Sequence, residues 1–286
     1  MPEIIKANIE LHAHPFLGNT TLEDVIMSMK KNKLDVVALE EYNSSNYSQI
    51  VKESKGMYSS VIDDDKGVLF MNHKCIFNAG EYDTKEKLHV LTVGCSIENY
   101  SQQEIKKVID SALEKDALVL LDHIFVDNEK TRTAGHISEE KAKLVEKICK
   151  EYSGNVALEW NAYCIPWMRA VLQKGLNAVG KKTDYYDVNK RAEELSEKLK
   201  EEGYNVPIIA DTDLHGRSKR LMDTIGTSRI ITDIEGETPN ELLNSIKKNV
   251  FSGNYKNIKQ YVSSAHLLEA FCFPILFPNY FWKPRG

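Results

Sequence analysis

Two short clusters carry the chemistry of this chain: His12-Ala13-His14, directly after the apolar run Ile4 to Leu11, and Asp211-Thr212-Asp213-Leu214-His215. In an extended strand residues i and i+2 share a face, so His12 and His14 can aim two imidazoles at one point, as Asp213 and His215 can. A lone His-x-His is as often a surface or core pair as a ligand pair. Here Gly80-Glu81, His89 and Leu120-Leu121-Asp122-His123 repeat the pattern of an imidazole or carboxylate just past an apolar run, which makes metal binding the expected chemistry. Imidazoles and carboxylates without thiolate pairs suit Zn, Mn or Fe. Two such ions about 3.5–4 Å apart lower the pKa of a bridging water and clamp a phosphoryl oxygen, with no serine or cysteine nucleophile required. In keeping with that, the chain has no Gly-x-Ser-x-Gly elbow, no phosphate-binding Gly-rich loop and no dinucleotide glycine fingerprint.

The elements that must position these residues alternate along the chain. Strand candidates are Ile4 to Leu11, Asp35 to Leu39, Val68 to Asn78, Leu88 to Cys95, Ala117 to Leu121, Asn155 to Glu159, Val206 to Ala210 and Thr227 to Ile231. Helix candidates are Thr21 to Asn32, Ser101 to Lys115, Ser138 to Tyr152, Tyr185 to Gly203 and Thr238 to Asn249, several opened by Ser or Thr with Glu three residues on. Such alternation implies a parallel sheet in an α/β fold, closed or nearly closed into a barrel. His12, Glu41, Glu81, His123, Glu159 and Asp213 each fall at the carboxyl end of a strand candidate, where barrel enzymes place their chemistry; an open sheet would concentrate its site at one crevice. Glu159 is expected to orient a histidine.

Length and composition set the limits. At 286 residues, 42% hydrophobic and 28% charged, the chain reads as one soluble globular barrel over residues 1–250, with a tail over 251–286. In the tail, Phe271, Phe273, Phe277, Tyr280, Phe281 and Trp282 interleave with Pro274 and Pro278; it is expected to pack on the barrel, a homo-oligomer contact or a membrane-surface anchor being the alternatives. The net charge of −5 and pI near 6.0 argue against sequence-independent attraction to nucleic acid, so the expected partner is a small phosphorylated substrate and no stable nucleic-acid partner. Five cysteines without a Cys-x-x-Cys pair read as reduced thiols, which fits a cytoplasmic protein; neither a leader nor a membrane-spanning stretch is apparent.

The order His12-x-His14, Leu34-Asp35-Val36-Val37-Ala38-Leu39 into Glu40-Glu41-Tyr42-Asn43, Gly80-Glu81, His89-Val90-Leu91, Asp122-His123 and Asp213-x-His215 resembles the polymerase and histidinol phosphatase (PHP) family over Ile4 to Ile231. The resemblance implies a distorted TIM-like (β/α)7 barrel with metals at the strand carboxyl ends. It assigns His12, His14, Glu81 and Asp213 to one metal and Glu81, His89 and His123 to a second, with Glu81 as the bridge. The chain departs from the pattern at Leu17-Gly18-Asn19, where members often carry an acidic residue or His, and at Glu40-Glu41-Tyr42, where they usually read Thr-Asp-His. His215 survives at the third position, so two divalent ions are expected, the third being weak, absent or rebuilt by Glu41.

The expected function is a metal-dependent phosphoesterase acting on a small phosphorylated metabolite or nucleotide. A metal-bridging hydroxide attacks phosphorus, and His215 or a bound water protonates the leaving oxygen; Glu81, Asp213 and His215 are the expected catalytic groups. Arg217, Lys219 and Arg220, with Lys130 and Arg132, are the candidate phosphate-binding cations, against the common alternative of plain solvation. Two other readings stay open: an amidohydrolase-type C–N or C–O hydrolase, and a non-catalytic metal-binding module. No lysine ends a strand where Glu81 stands, which weighs against the carboxylated-lysine bridge of many amidohydrolases.

Overall fold

The computed structural model describes residues 3–15, 20–40, 47–55, 59–63, 65–70, 74–97, 102–126, 137–166, 174, 187–216 and 218–272. One mixed sheet of twelve strands curls into a nearly closed, distorted α/β barrel. In spatial order its main path runs β12 (Tyr255–Ile258), β11 (Arg229–Ile234), β1 (Ile5–His14), β2 (Val36–Leu39), β5 (Cys75–Asp83), β6 (His89–Val93), β7 (Leu118–Asp122), β8 (Val156–Asn161) and β9 (Ile208–Asp211). The short β10 (Leu214–His215) pairs with β1, and β3 (Ser59–Asp63) pairs with β4 (Gly67–Phe70), which borders β5.

The alternation of elements predicts parallel neighbours, but β5–β6, β6–β7 and β1–β11 are antiparallel. The reason for the first is the tight connection after β5, where the Thr84 and Lys87 amides close a turn too short for a crossover. The run Val68 to Asn78 divides into β4 and β5, with the Phe70 N–H donating to the Lys74 carbonyl. The sheet also continues past residue 250, because β12 pairs with β11. The seam between β12 and β9 is sealed by side chains: Tyr255 Oη and Asn257 Nδ2 donate to the Ile208 carbonyl at 2.6 and 2.9 Å, and the Ala210 N–H donates to Asn257 Oδ1 at 2.8 Å.

Helices form where capping and an apolar stripe coincide. Thr21 caps Leu22–Lys31 through a reciprocal box with Asp24, Ser138 caps Glu139–Glu151, and Thr238 caps Pro239–Ser252 with Pro at its first turn. Helix Ile105–Glu114 buries Ile105, Val108, Ile109 and Ala112 against the outer faces of β6 and β7. Inside the barrel lies a separate apolar floor that includes Ile9, Leu11, Ala38, Phe77, Ala79, Leu91, Leu120, Ala157 and Ile209. No helix among the described residues is long and apolar enough to cross a membrane. The aromatic residues from 273 onward lie outside the described residues, and the side chain of Phe271 is not described.

Candidate metal centre

The apolar floor and the polar residues above it occupy the same strand faces. With a period of two, Ala38 leads to Glu40, Ala79 to Glu81, Leu120 to Asp122, Ala157 to Glu159 and Ile209 to Asp211 and then Asp213. β6 reaches the layer from the other direction. His89 begins this strand, so it does not follow an apolar run as its motif reads; antiparallel pairing sets it opposite Asp83 and Asp122 at the carboxyl ends of its neighbours. In β1 the pairing with β2 shifts register between Glu10 and Ala13, so Leu11 faces the floor while the next residue, His12, joins the site. Glu10 turns to the adjoining loops, accepting the amides of Thr212 and Gly226 at 2.9 and 3.0 Å.

The resulting cluster is dry and dense. His12 Nε2 lies 3.2 Å from Glu40 Oε1 and 3.5 Å from Asp213 Oδ1, and His14 Nε2 lies 3.1 Å from Glu81 Oε2. The other Glu81 oxygen contacts His89 Nδ1 and lies 3.6 Å from His123 Nε2, so one carboxylate faces three imidazoles. His215 stands near the rim with Nε2 3.2 Å from Asp213 Oδ1, its ring stacked on His14 at 5.6 Å and edge-on to Tyr163 at 5.7 Å. Glu159 Oε1 meets His12 Nδ1 at 2.6 Å, the position of a group that orients a histidine. Asn161 Nδ2 donates to Glu159 Oε2 at 3.1 Å and to Asp213 Oδ2 at 2.8 Å. Two of these residues sit on strained backbone, His123 at φ 23° and Asp213 at φ 54°.

The fit of this site to divalent metal rests on its unpaired polar atoms. Both carboxylate oxygens of Glu40, Asp122 and Asp211, with His12 Nε2, His14 Nδ1 and His123 Nδ1, are buried without a hydrogen-bond partner. Buried polar groups are costly in that condition, and coordination relieves the cost. Two overlapping sets offer ligand atoms within 4.8 Å of one another: Glu81, His89, Asp122 and His123, and His12, His14 and Glu81.

Electrostatics follow from crowding. Burial, then the neighbouring carboxylates, holds the Glu40, Asp122 and Asp211 carboxyls well above the usual range, the His12 charge opposing this at Glu40 and Asp211. For Glu81, Glu159 and Asp213 burial also pushes upward, but adjacent imidazoles outweigh it and hold these carboxyls below the usual range. His12 and His123 are raised by the surrounding acids against the opposing effect of burial, whereas burial prevails at His14 and lowers it.

The residues expected from the motifs thus meet here: His12, His14, Glu81, His89, His123, Asp213 and His215, with Glu159 behind them. Glu41, Lys130, Arg132 and Arg217 lie outside the described residues. Lys219 and Arg220 are directed elsewhere, Lys219 Nζ 3.0 Å from Asp24 and Arg220 Nε 3.6 Å from Glu269. Sequence reasoning passed over Glu40, Asp122, Asp211 and Asn161 as members of the site. Strand parity could have found them, because each stands in phase with an apolar floor residue of its own strand.

No family model matches the sequence, and no curated protein matches it. Among solved structures the chain is similar to a two-domain protein from Bacteroides vulgatus containing a predicted PHP-like metal-dependent phosphoesterase, with 11% identity, a TM-score of 0.52, and coverage of 94% of this chain and 70% of that one. The fold is of the PHP type. A second similar structure is the lesion-specific endonuclease PfuEndoQ from Pyrococcus furiosus, with 14% identity and a TM-score of 0.50 over 88% of this chain. The present chain spans 58% of the length of that endonuclease. This likeness overturns the expectation that nucleic acid is excluded as a partner. Net charge sums over the whole molecule, whereas a phosphodiester is met by a few local groups, so −5 does not bar a PHP-type barrel from nucleic acid.

Proposed function

We propose that this PHP-type barrel hydrolyses phosphoesters with divalent metal. The observation that carries the reading is the convergence of His12, His14, Glu40, Glu81, His89, His123 and Asp213 into one buried cluster in which both Glu40 oxygens, His12 Nε2, His14 Nδ1 and His123 Nδ1 lack a hydrogen-bond partner. His12, His14, Glu40, Glu81 and Asp213 would hold one ion, and Glu81, His89 and His123 a second, Glu81 standing between the two sets. Mn, Zn and Fe suit this donor set. When bound, such ions supply Lewis-acid activation of water and neutralise charge developing on phosphoryl oxygens.

The chain's own groups do the rest. Glu159 holds the His12 Nδ1 proton, which leaves Nε2 free toward Glu40 and Asp213. Asn161 fixes Asp213 by one oxygen and leaves the other facing His12 and His215. His215, at the rim, is placed to pass a proton from Nε2 to a leaving oxygen. The lesion endonuclease that shares the fold brings DNA phosphodiesters into the substrate range beside phosphorylated metabolites and nucleotides.

The test is product release from sugar phosphates, histidinol phosphate, mononucleotides, nucleoside bisphosphates and duplex DNA with and without an abasic lesion, with Mn or Zn added. Release or strand cleavage that requires metal and is lost in Glu81→Ala supports the reading and names the substrate class. A fully metallated protein inactive on every phosphoester overturns it.

A further inference from the structure

Beneath the cluster, three acidic side chains crowd the inner edge of His12. From His12 Nδ1, Glu159 Oε1 is 2.6 Å away, Asp122 Oδ1 3.4 Å and Asp211 Oδ1 3.9 Å, and all four side chains are fully buried. Their donors are unequally shared. Glu159 accepts from His12, from the His123 amide at 2.6 Å and from Asn161 Nδ2 at 3.1 Å. Asp122 and Asp211 accept no hydrogen bond at any of their four oxygens. Their ion-pair partners among the described residues are histidines alone: His12 for Asp211, and His12 and His123 for Asp122.

Three carboxylates against the two imidazoles of His12 and His123 carry more negative charge than those imidazoles can offset, and a buried interior does not tolerate the excess. Water cannot screen it, since directly below stand Leu120, Ala157 and Ile209. The groups are close enough to converge: one ligand atom each from His12, Glu159 and Asp211 lies within 4.8 Å of the others. Oxygen-rich donor sets of this kind favour Mg or Mn over the softer metals.

We propose that Asp122, Glu159 and Asp211 hold a further divalent cation on the Nδ1 side of His12, away from the hydrolytic centre at its Nε2. It is a structural ion, out of reach of substrate, that neutralises the floor of the site and fixes His12 from behind. The proposal stands apart from the phosphoesterase reading, because it concerns only what satisfies two buried aspartates.

The experiment strips the full chain with chelator, reloads it with Mn(II), removes free ion and measures Mn per chain. The double variant His14→Ala/Glu81→Ala, which disables the upper centre, should retain one equivalent. In the background of the unaltered upper centre, Asp211→Asn should bind one equivalent less than the parent. Loss of all Mn from the double variant overturns the proposal. So does parental Mn content in Asp211→Asn, since asparagine imitates a protonated aspartic acid and would show that protons suffice there. The two arms use different residues, so if one variant fails to fold the other still decides, and neither readout depends on turnover.

Discussion

Asp213 combines a charge the site needs with a backbone few residues accept. At φ 54° it lies in the left-handed region, which Asp and Asn tolerate and β-branched residues do not. Asp213→Asn should therefore fold with nearly parental thermal stability yet bind metal weakly. Asp213→Val should lose about 1–3 kcal/mol in addition, read as a lower Tm of the metal-free protein. Equal stability of the two variants would show that the conformation imposes no cost. Asn161 acts one step back. Removing its amide in Asn161→Ala frees Asp213 Oδ2 and Glu159 Oε2, and metal affinity should fall by roughly 10–100-fold in a calorimetric titration. Unchanged affinity would mean that the carboxylates hold their geometry without it. Glu40 teaches the matching lesson about legibility. Simple alternation from Val36 and Ala38 leads to Glu40, buried against His12, which the motif reading did not single out as a ligand.

At the scale of elements, the site depends on how β1 is held on both edges. On one edge its register shift against β2 admits His12; on the other β10 pairs Ala13 with Leu214 and His14 with His215. Gly216 continues that pairing by donating its amide to the His14 carbonyl at 2.9 Å. A Cβ at Gly216 would lie 2.6 Å from the Pro15 Cα and carbonyl oxygen, which are backbone and cannot swing aside. Gly216→Ala should thus part β10 from β1, destabilising the fold by roughly 1–3 kcal/mol, as overpacking typically does, read as a lower Tm, and weakening metal retention. A variant with parental Tm and parental metal content would show that the two strands separate at no cost to the site. The strands and helices opened by capping residues were readable from local pattern. The antiparallel direction of β6 was not, because direction is decided by the length of the connection after β5 and by what packs beside it, and not by the residues of β6 itself.

For the whole molecule, the crowded carboxyls predict an unusual response to pH. Burial first, then neighbouring charge, raises Glu40, Asp122 and Asp211, and burial raises Glu10 to about 7; His12 and His123 are also raised, by acids that outweigh burial. From pH 6.5, the ordinary imidazole value, the unfolded chain progressively releases the His12 and His123 protons that the metal-free folded chain holds to higher pH, and folded Glu10 gives up its own only at about 7. Unfolding then releases protons, so stability falls as pH rises through each folded-state value. Among the lowered groups Glu81, Glu159 and Asp213 are ionised in both states and silent in this window, while His14, lowered by burial, opposes the trend only near 6.5, where its unfolded imidazole still loses its proton. Chelated protein should therefore lose Tm as pH is raised from 6.5, and bound Mn, which displaces the protons, should flatten the dependence. A Tm of chelated protein that climbs with pH over this range contradicts the account.

The alternation of apolar runs and helices, the capping residues and the spacing of His12-x-His14 and Asp213-x-His215 are local properties, written in neighbouring residues, and they suffice for an α/β barrel with a candidate metal centre. The rest waited for the chain to close. A register shift in β1, a reversed β6, and strand faces that carry the apolar floor into a polar layer brought Glu40, Asp122, Asp211 and Asn161 beside the histidines. Those contacts join residues far apart in the chain, and their energies exist only once low-dielectric surroundings remove the water that would otherwise separate them.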